Sequence, residues 1–378
     1  MSAGARARGD GGACPSCLRR RWLLAQLSAP LDYCARDRAR LLELLALADA
    51  QLIAAVGGRR RDELGARYTA FDRERVSVAD GAQAICRHRR GFPRTLAAAA
   101  FPCMLEVAGG ARRLQELTAA PVVAIVGARR TSGYGVEVAR SLARGLAASG
   151  VTVAARLLDG IAPAVQAGAR EGRGGAIAAI GGGLGTARAD RRALLERIVR
   201  EGCVVAELPR DCSGRRWGQL ASARTIVGLA ALTIVVEAER TAEDLAAAAI
   251  ARSLGRSLAA IPGRVSSPLS RGAHLLLRDG AHLLTDVEDA LELLCGPDER
   301  APGPRAELRP TLQPRLRTVL ELVGAGSDTP ETLARESADP GEALLALSEL
   351  ELMGWLTRGE GGRYLPRLPL PATRASPG

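Results

Sequence analysis

The middle of the chain alternates short apolar runs with helix-like runs, and this alternation constrains the fold more than any other sequence feature. Short apolar segments separated by helices are typical of a mainly parallel sheet that is covered on both faces. We therefore predict an α/β fold, with a Rossmann-like domain over residues 121–295. The predicted strands are Val122–Val126, Val151–Ala155, Ala176–Ile180, Cys203–Glu207, Leu232–Glu237, Leu258–Ile261 and His282–Leu284, and the clearest predicted helices are Gly135–Ser149, Arg191–Glu201 and Ala242–Leu254.

Two further regions flank the predicted sheet, and a chain of 378 residues is long enough for them. Residues 1–120 predict an N-terminal helical, SAM-like region that ends in an extended lead-in. A proline-rich stretch over 296–311 predicts a linker. Residues 312–366 show three helical patterns and a hairpin, which is the element order of a winged helix, and residues 367–378 predict a disordered tail.

The charge of the chain favours an acidic partner, because the formal net charge is +11. The first region carries 20 arginines against 12 acidic residues, the middle region 22 against 17, and residues 297–378 carry 10 against 12. Every basic residue other than histidine is arginine, so neither a phosphate-loop lysine nor a Schiff-base lysine exists. No apolar run approaches the ~20 residues of a membrane span, and the first residues lack the apolar core of a signal peptide. We expect a cytoplasmic protein with no membrane partner.

The eight cysteines are scattered along the sequence, which fits reduced thiols better than a disulfide framework. Cys14 and Cys17 form a CxxC pair, and Cys86 and His88 could complete a four-ligand zinc site. The spacing is nevertheless unlike that of a zinc ribbon. We therefore expect ordinary thiols, no bound metal and no cofactor.

Two glycine-bearing turns follow predicted strands, at the edge of the sheet where ligands of open α/β folds bind. They are "GARRTSGYG" (Gly127–Gly135) and "GGGLGT" (Gly181–Thr186). Glycine lets backbone N–H groups approach a phosphate, and the start of the next helix favours its charge. The first turn is not a GxGxxG fingerprint, and either turn could serve packing alone. Arg129 and Arg130 inside the first turn favour phosphate binding.

Several stretches of the middle region form one recognisable series. They are "VAIVGARRTSGYG", "AIAAIGGGLG", "AELP" at 206–209, "RTIVGL" at 224–229, "IVVEA" at 234–238, and "AIPGRVSSPLSRGAHLLLRDGAHLLTDVEDALELL" at 260–294. Together they resemble the DNA-processing protein A family (DprA, also called Smf). The last stretch is the most distinctive, and the resemblance covers about residues 121–295.

The resemblance implies a non-catalytic protein that binds single-stranded DNA, forms a homodimer, protects incoming DNA in natural transformation and helps to load a RecA-type recombinase. It also implies which residues contact DNA or its phosphates. These are Gly127, Arg129, Arg130, Gly135, Gly160, Gly181, Gly183 and Arg224. Departures from the family pattern include "RADRR" at 188–192 and "AEDL" at 242–245, which place alanine or charge where the family has polar pocket groups.

Two other functions stay open at this point. One is a phosphoribohydrolase-type enzyme on a nucleotide-binding fold, for which Glu207 and Glu237 at strand ends are the candidate carboxylates. The other is a degenerate paralogue that only docks to partners. Tyr134 and Trp217 lie near pocket loops, and we interpret both as structural. The predicted third helix of the C-terminal region carries Glu342, Glu349 and Glu351 and no arginine, which predicts a contact with protein rather than with duplex DNA.

Overall fold

The computed structural model describes most of the chain between residues 12 and 366. The predicted linker over 296–311 and the predicted tail over 367–378 lie outside the described residues. The described residues are 12–72, 78, 81–97, 102–157, 160–186, 189–213, 216–241, 245–295, 313–337, 339–353, 355–359 and 362–366.

Between residues 12 and 72 the structure describes five α-helices, and the N-terminal region is therefore helical, as the sequence predicts. They are α1 (Pro15–Gln26), α2 (Ser28–Cys34), α3 (Arg38–Ala46), α4 (Asp49–Val56) and α5 (Arg61–Thr69). Pro15 occupies the first turn of α1, where its missing N–H costs nothing. The carboxylate of Asp37 caps α3 by accepting a hydrogen bond from the Arg40 backbone N–H at 3.2 Å.

A nine-stranded sheet forms the centre of the molecule. Its strands are β1 (Ala82–Cys86), β2 (Met104–Ala108), β3 (Val122–Val126), β4 (Thr152–Arg156), β5 (Ala176–Ile180), β6 (Cys203–Ala206), β7 (Leu232–Val235), β8 (Ser257–Ala260) and β9 (His282–Leu283). Their spatial order is β1-β2-β6-β5-β4-β3-β7-β8-β9. The seven strands from β3 to β9 pair in parallel, which confirms the predicted α/β fold.

The sheet also takes in two strands from the region that we assigned to the N-terminal part. Strand β1 pairs with β2, and β2 pairs with β6, both antiparallel. The connecting segment contains the short helix α6 (Arg94–Ala97). The sequence there predicts extended structure but does not show where it pairs, because an antiparallel edge strand leaves no helical crossover in the pattern.

Helices cover both faces of the sheet. They are α7 (Ala111–Ala119), α8 (Gly133–Ala148), α9 (Ala162–Glu171), α10 (Ala189–Glu201), α11 (Arg216–Leu229), α12 (Ala246–Ser253), α13 (Arg271–Arg278) and α14 (Val287–Cys295). Alternate residues of a strand face opposite sides. Accordingly Val123 and Ile125 of β3 join a core with α8, α9 and α14, whereas Ala124 and Val126 join a core with α11, α12 and the N-terminal helices.

One buried ion pair attaches the N-terminal helices to the sheet. The Arg21 guanidinium of α1 lies 2.8 Å from the Glu106 carboxylate of β2, and both side chains are at most 1% exposed. Arg21 also donates to the Leu208 carbonyl oxygen at 2.8 Å. Removal of one partner from such a buried pair costs about 3–5 kcal/mol, so this pair fixes where the helices sit.

Three helices and a hairpin form the C-terminal unit. They are α15 (Pro314–Ala325), α16 (Pro330–Glu336), α17 (Pro340–Leu352), β10 (Leu356–Arg358) and β11 (Tyr364–Pro366). This is the element order expected of a winged helix, and that it acts as one stays a prediction. Arg264 of the sheet domain pairs with Asp328 of this unit at 2.9 Å. Among the described residues, no helix is long and apolar enough to cross a bilayer.

Candidate nucleic-acid interface

The carboxyl ends of strands β3 to β8 lie along one edge of the sheet, and the loops that follow them contain almost every predicted site residue. We call this the carboxyl edge. Ligands of open α/β sheets bind there, at the point where the strand order reverses. In this protein the reversal falls at β3, which has β4 on one side and β7 on the other. The β3–α8 loop, residues 127–132, is therefore the place where a nucleotide phosphate would be expected.

That place is occupied by a carboxylate of the protein itself. Glu237, which follows β7 and is 3% exposed, accepts a hydrogen bond from the Ser132 backbone N–H at 2.9 Å. Its two oxygens also accept from the Thr131 and Ser132 hydroxyls, each at 2.6 Å. The N-terminus of a helix favours an anion. At the N-terminus of α8 this anion is the carboxylate of Glu237. The Ser132 hydroxyl in addition caps α8 by accepting from the Gly135 N–H at 3.1 Å.

This arrangement explains the glycines of the first turn without a ligand. A Cβ on Gly135 would overlap the Glu237 carboxylate. A Cβ on Gly127 would lie 2.9 Å from the Ile161 side chain and 3.2 Å from the Glu237 carbonyl oxygen. Gly160 has a φ of +84° and passes against the backbone of Ala128. These glycines let three loops of the carboxyl edge pack closely together.

The second glycine turn is also filled by the protein. Gly183 N–H donates to the Cys212 carbonyl oxygen, and Gly185 N–H donates to the Arg210 carbonyl oxygen, both at 3.0 Å. A Cβ on Gly183 would overlap the backbone of Pro209. A Cβ on Gly181 would lie 3.0 Å from the Gln219 side-chain amide. The turn therefore joins the loop after β5 to the loop after β6.

Arg224 lies in the interior rather than at the surface. Its guanidinium pairs with the Glu207 carboxylate, and both side chains are buried. The sequence predicts Arg224 as a DNA contact and Glu207 as a candidate catalytic carboxylate. In the structure the two side chains instead form a buried ion pair with each other.

The aromatic residues near the loops have structural positions, as we predict. Trp217 is 1% exposed, and its backbone N–H donates to Asp32 at 3.2 Å. The Tyr134 hydroxyl donates to the Pro262 carbonyl oxygen at 3.0 Å. Burial, and then the charge of Glu237, raises the pKa of Tyr134, so this phenol stays a neutral donor.

Exposed arginines line the carboxyl edge, and they include two of the predicted contacts. We call the set the arginine row. Its members follow four of the six adjacent strands from β6 to β8, which together span about 24 Å at the usual strand spacing. Of the acidic residues described in these loops, only Asp211 is exposed. The row consists of Arg129, Arg130, Arg216, Arg240, Arg264 and Arg271.

Two features of this edge differ from what the sequence predicts. Glu237, a candidate catalytic carboxylate by sequence, is the internal anion of the β3–α8 loop. A hydroxyl pair, Thr131 and Ser132, stands directly before α8 and is the sequence signal for such an anion. Arg216, Arg240 and Arg271 join the predicted Arg129 and Arg130, because the edge that they share becomes visible only once the strand order is known.

The fold and the site define a Rossmann-like α/β protein with a basic carboxyl edge and a switch point closed by its own glutamate. The sequence profile of the DNA recombination-mediator protein A family matches residues 83–295, and the chain belongs to this family. This confirms the resemblance to DprA and Smf.

Relatives and solved structures agree. The chain is 35% identical to a DNA processing protein DprA of Mycobacterium tuberculosis over 260 residues, 68% of this chain and 66% of that protein. It is 33% identical to protein Smf of Escherichia coli over 278 residues, 71% of this chain and 73% of that protein. The structure of DprA from Streptococcus pneumoniae superposes with a TM-score of 0.59 at 25% identity, over 73% of this chain and 95% of that one. A Helicobacter pylori DprA structure, which concerns single-stranded DNA binding by that protein, shares the fold with a TM-score of 0.50 at 21% identity, over 56% of this chain and 95% of that one.

Proposed function

We propose that this protein binds single-stranded DNA along the arginine row and acts in DNA processing without catalytic turnover. The observation that carries the proposal is the arrangement of the carboxyl edge. Exposed arginines follow four of six adjacent strands, while the position suited to a single nucleotide phosphate is filled by Glu237. A row of separate cations suits a polyanion better than it suits one nucleotide, because each cation contacts a different phosphate.

The same arrangement favours binding that does not depend on base sequence. Arginine contacts to phosphate position a nucleic acid but do not read its bases. Aromatic residues make up only 3% of the chain, and Trp217 and Tyr134 are engaged in the interior. A platform for base stacking is therefore not the main source of affinity.

Family membership supports the wider role. We propose that the protein protects incoming single-stranded DNA during natural transformation and assists the loading of a RecA-type recombinase. We propose further that it acts as a homodimer, because two arginine rows on one strand raise the affinity through effective concentration.

The phosphoribohydrolase alternative needs a carboxylate that faces the ribose of a bound nucleotide. Both candidates are engaged elsewhere. Glu237 accepts three hydrogen bonds from the β3–α8 loop, and Glu207 is paired with Arg224 in the interior. The paralogue alternative assumes that the pocket has lost its DNA contacts, and the arginine row argues against it.

A titration of fluorescent oligonucleotides across salt concentrations tests the proposal. Four phosphate contacts, one for each strand that the row follows, should give a slope near −3 for the logarithm of the binding constant against that of salt. Single strands should bind more tightly than duplexes of the same length. In parallel, nucleoside monophosphates should release no base when incubated with the protein. Salt-independent or absent binding would contradict the proposal, and base release would establish the enzyme instead.

A further inference from the structure

Four side chains that could ligate a metal meet at the junction between the N-terminal helices and the sheet. They are Cys14, Cys17, Cys86 and His88, and each contributes one ligand atom. These four atoms all lie within 4.8 Å of one another. The two members of the CxxC pair are 69 to 74 residues distant from the other two in the sequence, so the fold brings them together.

The known distances among the four atoms are close to those of a tetrahedral site. With Zn–S bonds of about 2.3 Å and Zn–N bonds of about 2.0–2.1 Å, the edges of the tetrahedron are about 3.6 Å from nitrogen to sulfur and about 3.8 Å from sulfur to sulfur. The His88 Nδ1 atom lies 3.2 Å from the Cys17 Sγ atom and 3.4 Å from the Cys14 Sγ atom, and all four ligand atoms lie within 4.8 Å of one another. An outward shift of His88 by a few tenths of an ångström would bring its two distances to the tetrahedral value.

The backbone positions these ligands on three elements. Cys14 is the N-cap residue of α1, and Cys17 lies in the first turn of the same helix. Cys86 ends β1, and His88 follows it in the turn. Helix N-termini favour thiolates. The Cys14 backbone N–H already donates to the Cys86 Sγ atom at 3.3 Å, a contact that stabilises a thiolate held by a metal.

The burial of the four residues also fits a structural site rather than a catalytic one. Cys17 and Cys86 are buried, Cys14 is half-buried and His88 closes the cluster from the solvent side. Three sulfur ligands and one imidazole select a soft divalent ion in tetrahedral geometry, and four protein ligands leave no open position for a substrate.

We propose that Cys14, Cys17, Cys86 and His88 form a structural zinc site that fastens α1 to the end of β1. The spacing of these residues in the sequence predicts ordinary thiols without a metal, and the proposed zinc site replaces that prediction. It is independent of the proposed DNA binding, because none of the four residues belongs to the arginine row. A metal that joins residues 14 and 86 closes a long loop of the chain. Cross-links over long loops stabilise the folded state more than those over short loops, because they remove more entropy from the unfolded chain.

The full-length protein can be tested for zinc directly. It should be expressed with zinc in the medium, purified under a non-chelating reductant and analysed by atomic emission. We expect about one zinc per chain after gel filtration. After metal removal, titration with Co²⁺ alone should give thiolate-to-cobalt charge-transfer bands and the visible d–d bands of tetrahedral coordination, saturating at one equivalent. Protein without zinc that also gives no such bands would overturn the proposal.

Variants then assign the ligands. His88→Ala, at an exposed position where loss of folding is not expected, should lower the zinc affinity at least roughly tenfold, since even outer-shell partners contribute that much. His88→Cys should restore one zinc per chain and shift the cobalt spectrum toward four thiolates. Cys86→Ser should release the metal and lower the thermal midpoint by about 5 °C or more.

The matched control is Cys34→Ser, which alters a half-buried thiol outside the cluster. It should keep one zinc and the wild-type cobalt spectrum. If His88→Ala keeps the wild-type affinity and spectrum, or if Cys34→Ser loses as much zinc as Cys86→Ser, the metal is adventitious and the assignment is wrong.

Discussion

The carboxyl edge of the sheet and the C-terminal unit are the two parts of this protein that could meet DNA, and they use their arginines in opposite ways. At the carboxyl edge the buried acids Glu237 and Glu207 have partners within the protein, and all six arginines of the row are exposed. In the C-terminal unit, acidic residues pair with two of the described arginines. Arg315 pairs with Glu349 at 2.8 Å and Arg363 pairs with Asp328 at 3.0 Å.

The difference shows that placement matters more than the number of charges. The C-terminal region holds ten arginines, yet its third helix, α17, presents Glu342 and Glu351 and exposed apolar residues. Leu345 is 65% exposed and Leu352 is 88% exposed. An apolar and acidic helix suits a protein partner better than the major groove of a duplex.

The largest expected effect concerns the closed switch point. Glu237→Ala should lower the free energy of unfolding by about 3–5 kcal/mol, because it leaves three partly buried donors of the β3–α8 loop without their acceptor. Asp328→Ala in the C-terminal unit should cost less, about 1 kcal/mol or below, since its arginine partners are more than half exposed. Urea denaturation measures both. Glu237→Gln, which keeps one acceptor oxygen, should fall between wild type and Glu237→Ala.

Equal losses of stability for Glu237→Ala and Asp328→Ala would remove the contrast between a carboxylate that closes the switch point and one that pairs with exposed arginines. Tighter binding of mononucleotides by Glu237→Ala would sharpen it, because an empty helix N-terminus would then accept a phosphate.

The next effect concerns a single member of the arginine row. Arg129→Ala should weaken single-strand binding by about 1.5–3 kcal/mol, because one charge-assisted contact is lost. The salt slope should become shallower by about one unit. Arg317→Ala is the matched control, since it removes an exposed arginine from α15 of the C-terminal unit. Fluorescence anisotropy at several salt concentrations measures both variants, and an equal loss in the two would place the binding surface elsewhere.

Strand length gives a smaller effect. If the protein is a homodimer, oligonucleotides long enough to reach both arginine rows should bind at least ~10-fold tighter than half-length ones. Sedimentation should show a dimer at micromolar concentration. A monomer that binds both lengths with the same affinity would contradict the homodimer and would show that the carboxyl edge of a single chain binds the strand.

Deletion of residues 297–378 should have the smallest effect on single-strand affinity, about twofold or less, because all six arginines of the row belong to the sheet domain. The deletion does release Arg264 from Asp328, and it removes Leu365, whose side chain lies 4.0 Å from where a Cβ on Gly133 would be. A large loss in the anisotropy titration would show that the C-terminal unit binds DNA as well.

The sequence predicts the sheet well because its signals are local. All seven predicted strands are present within two residues of their predicted bounds, since each is a short apolar run between helix signals. The pairing of β2 with β6, which brings β1 into the sheet as well, could not be predicted, because it depends on contacts between residues about 100 positions apart.

The site was harder to predict for the same reason. Gly127, Gly135 and Gly160 were recognised as special positions, but what each of them packs against becomes visible only in three dimensions. Arg129 and Arg224 both resemble family contacts, yet one is exposed and the other is buried against Glu207. Residue identity alone does not distinguish an arginine that neutralises an internal acid from one that faces solvent.

The central claim, that the arginine row rather than net charge binds single-stranded DNA, is tested most directly by two charge-matched double variants. Arg129→Ala/Arg130→Ala removes two charges from the carboxyl edge. Arg200→Ala/Arg278→Ala removes two exposed charges from the ends of α10 and α13, which lie at the opposite edge of the sheet. In anisotropy titrations across salt, the first should bind roughly 10- to 100-fold more weakly, with a salt slope shallower by about 0.7–1.4 units, and the second should stay within about twofold of wild type. Equal losses in the two variants, or no loss in the first, would contradict the claim.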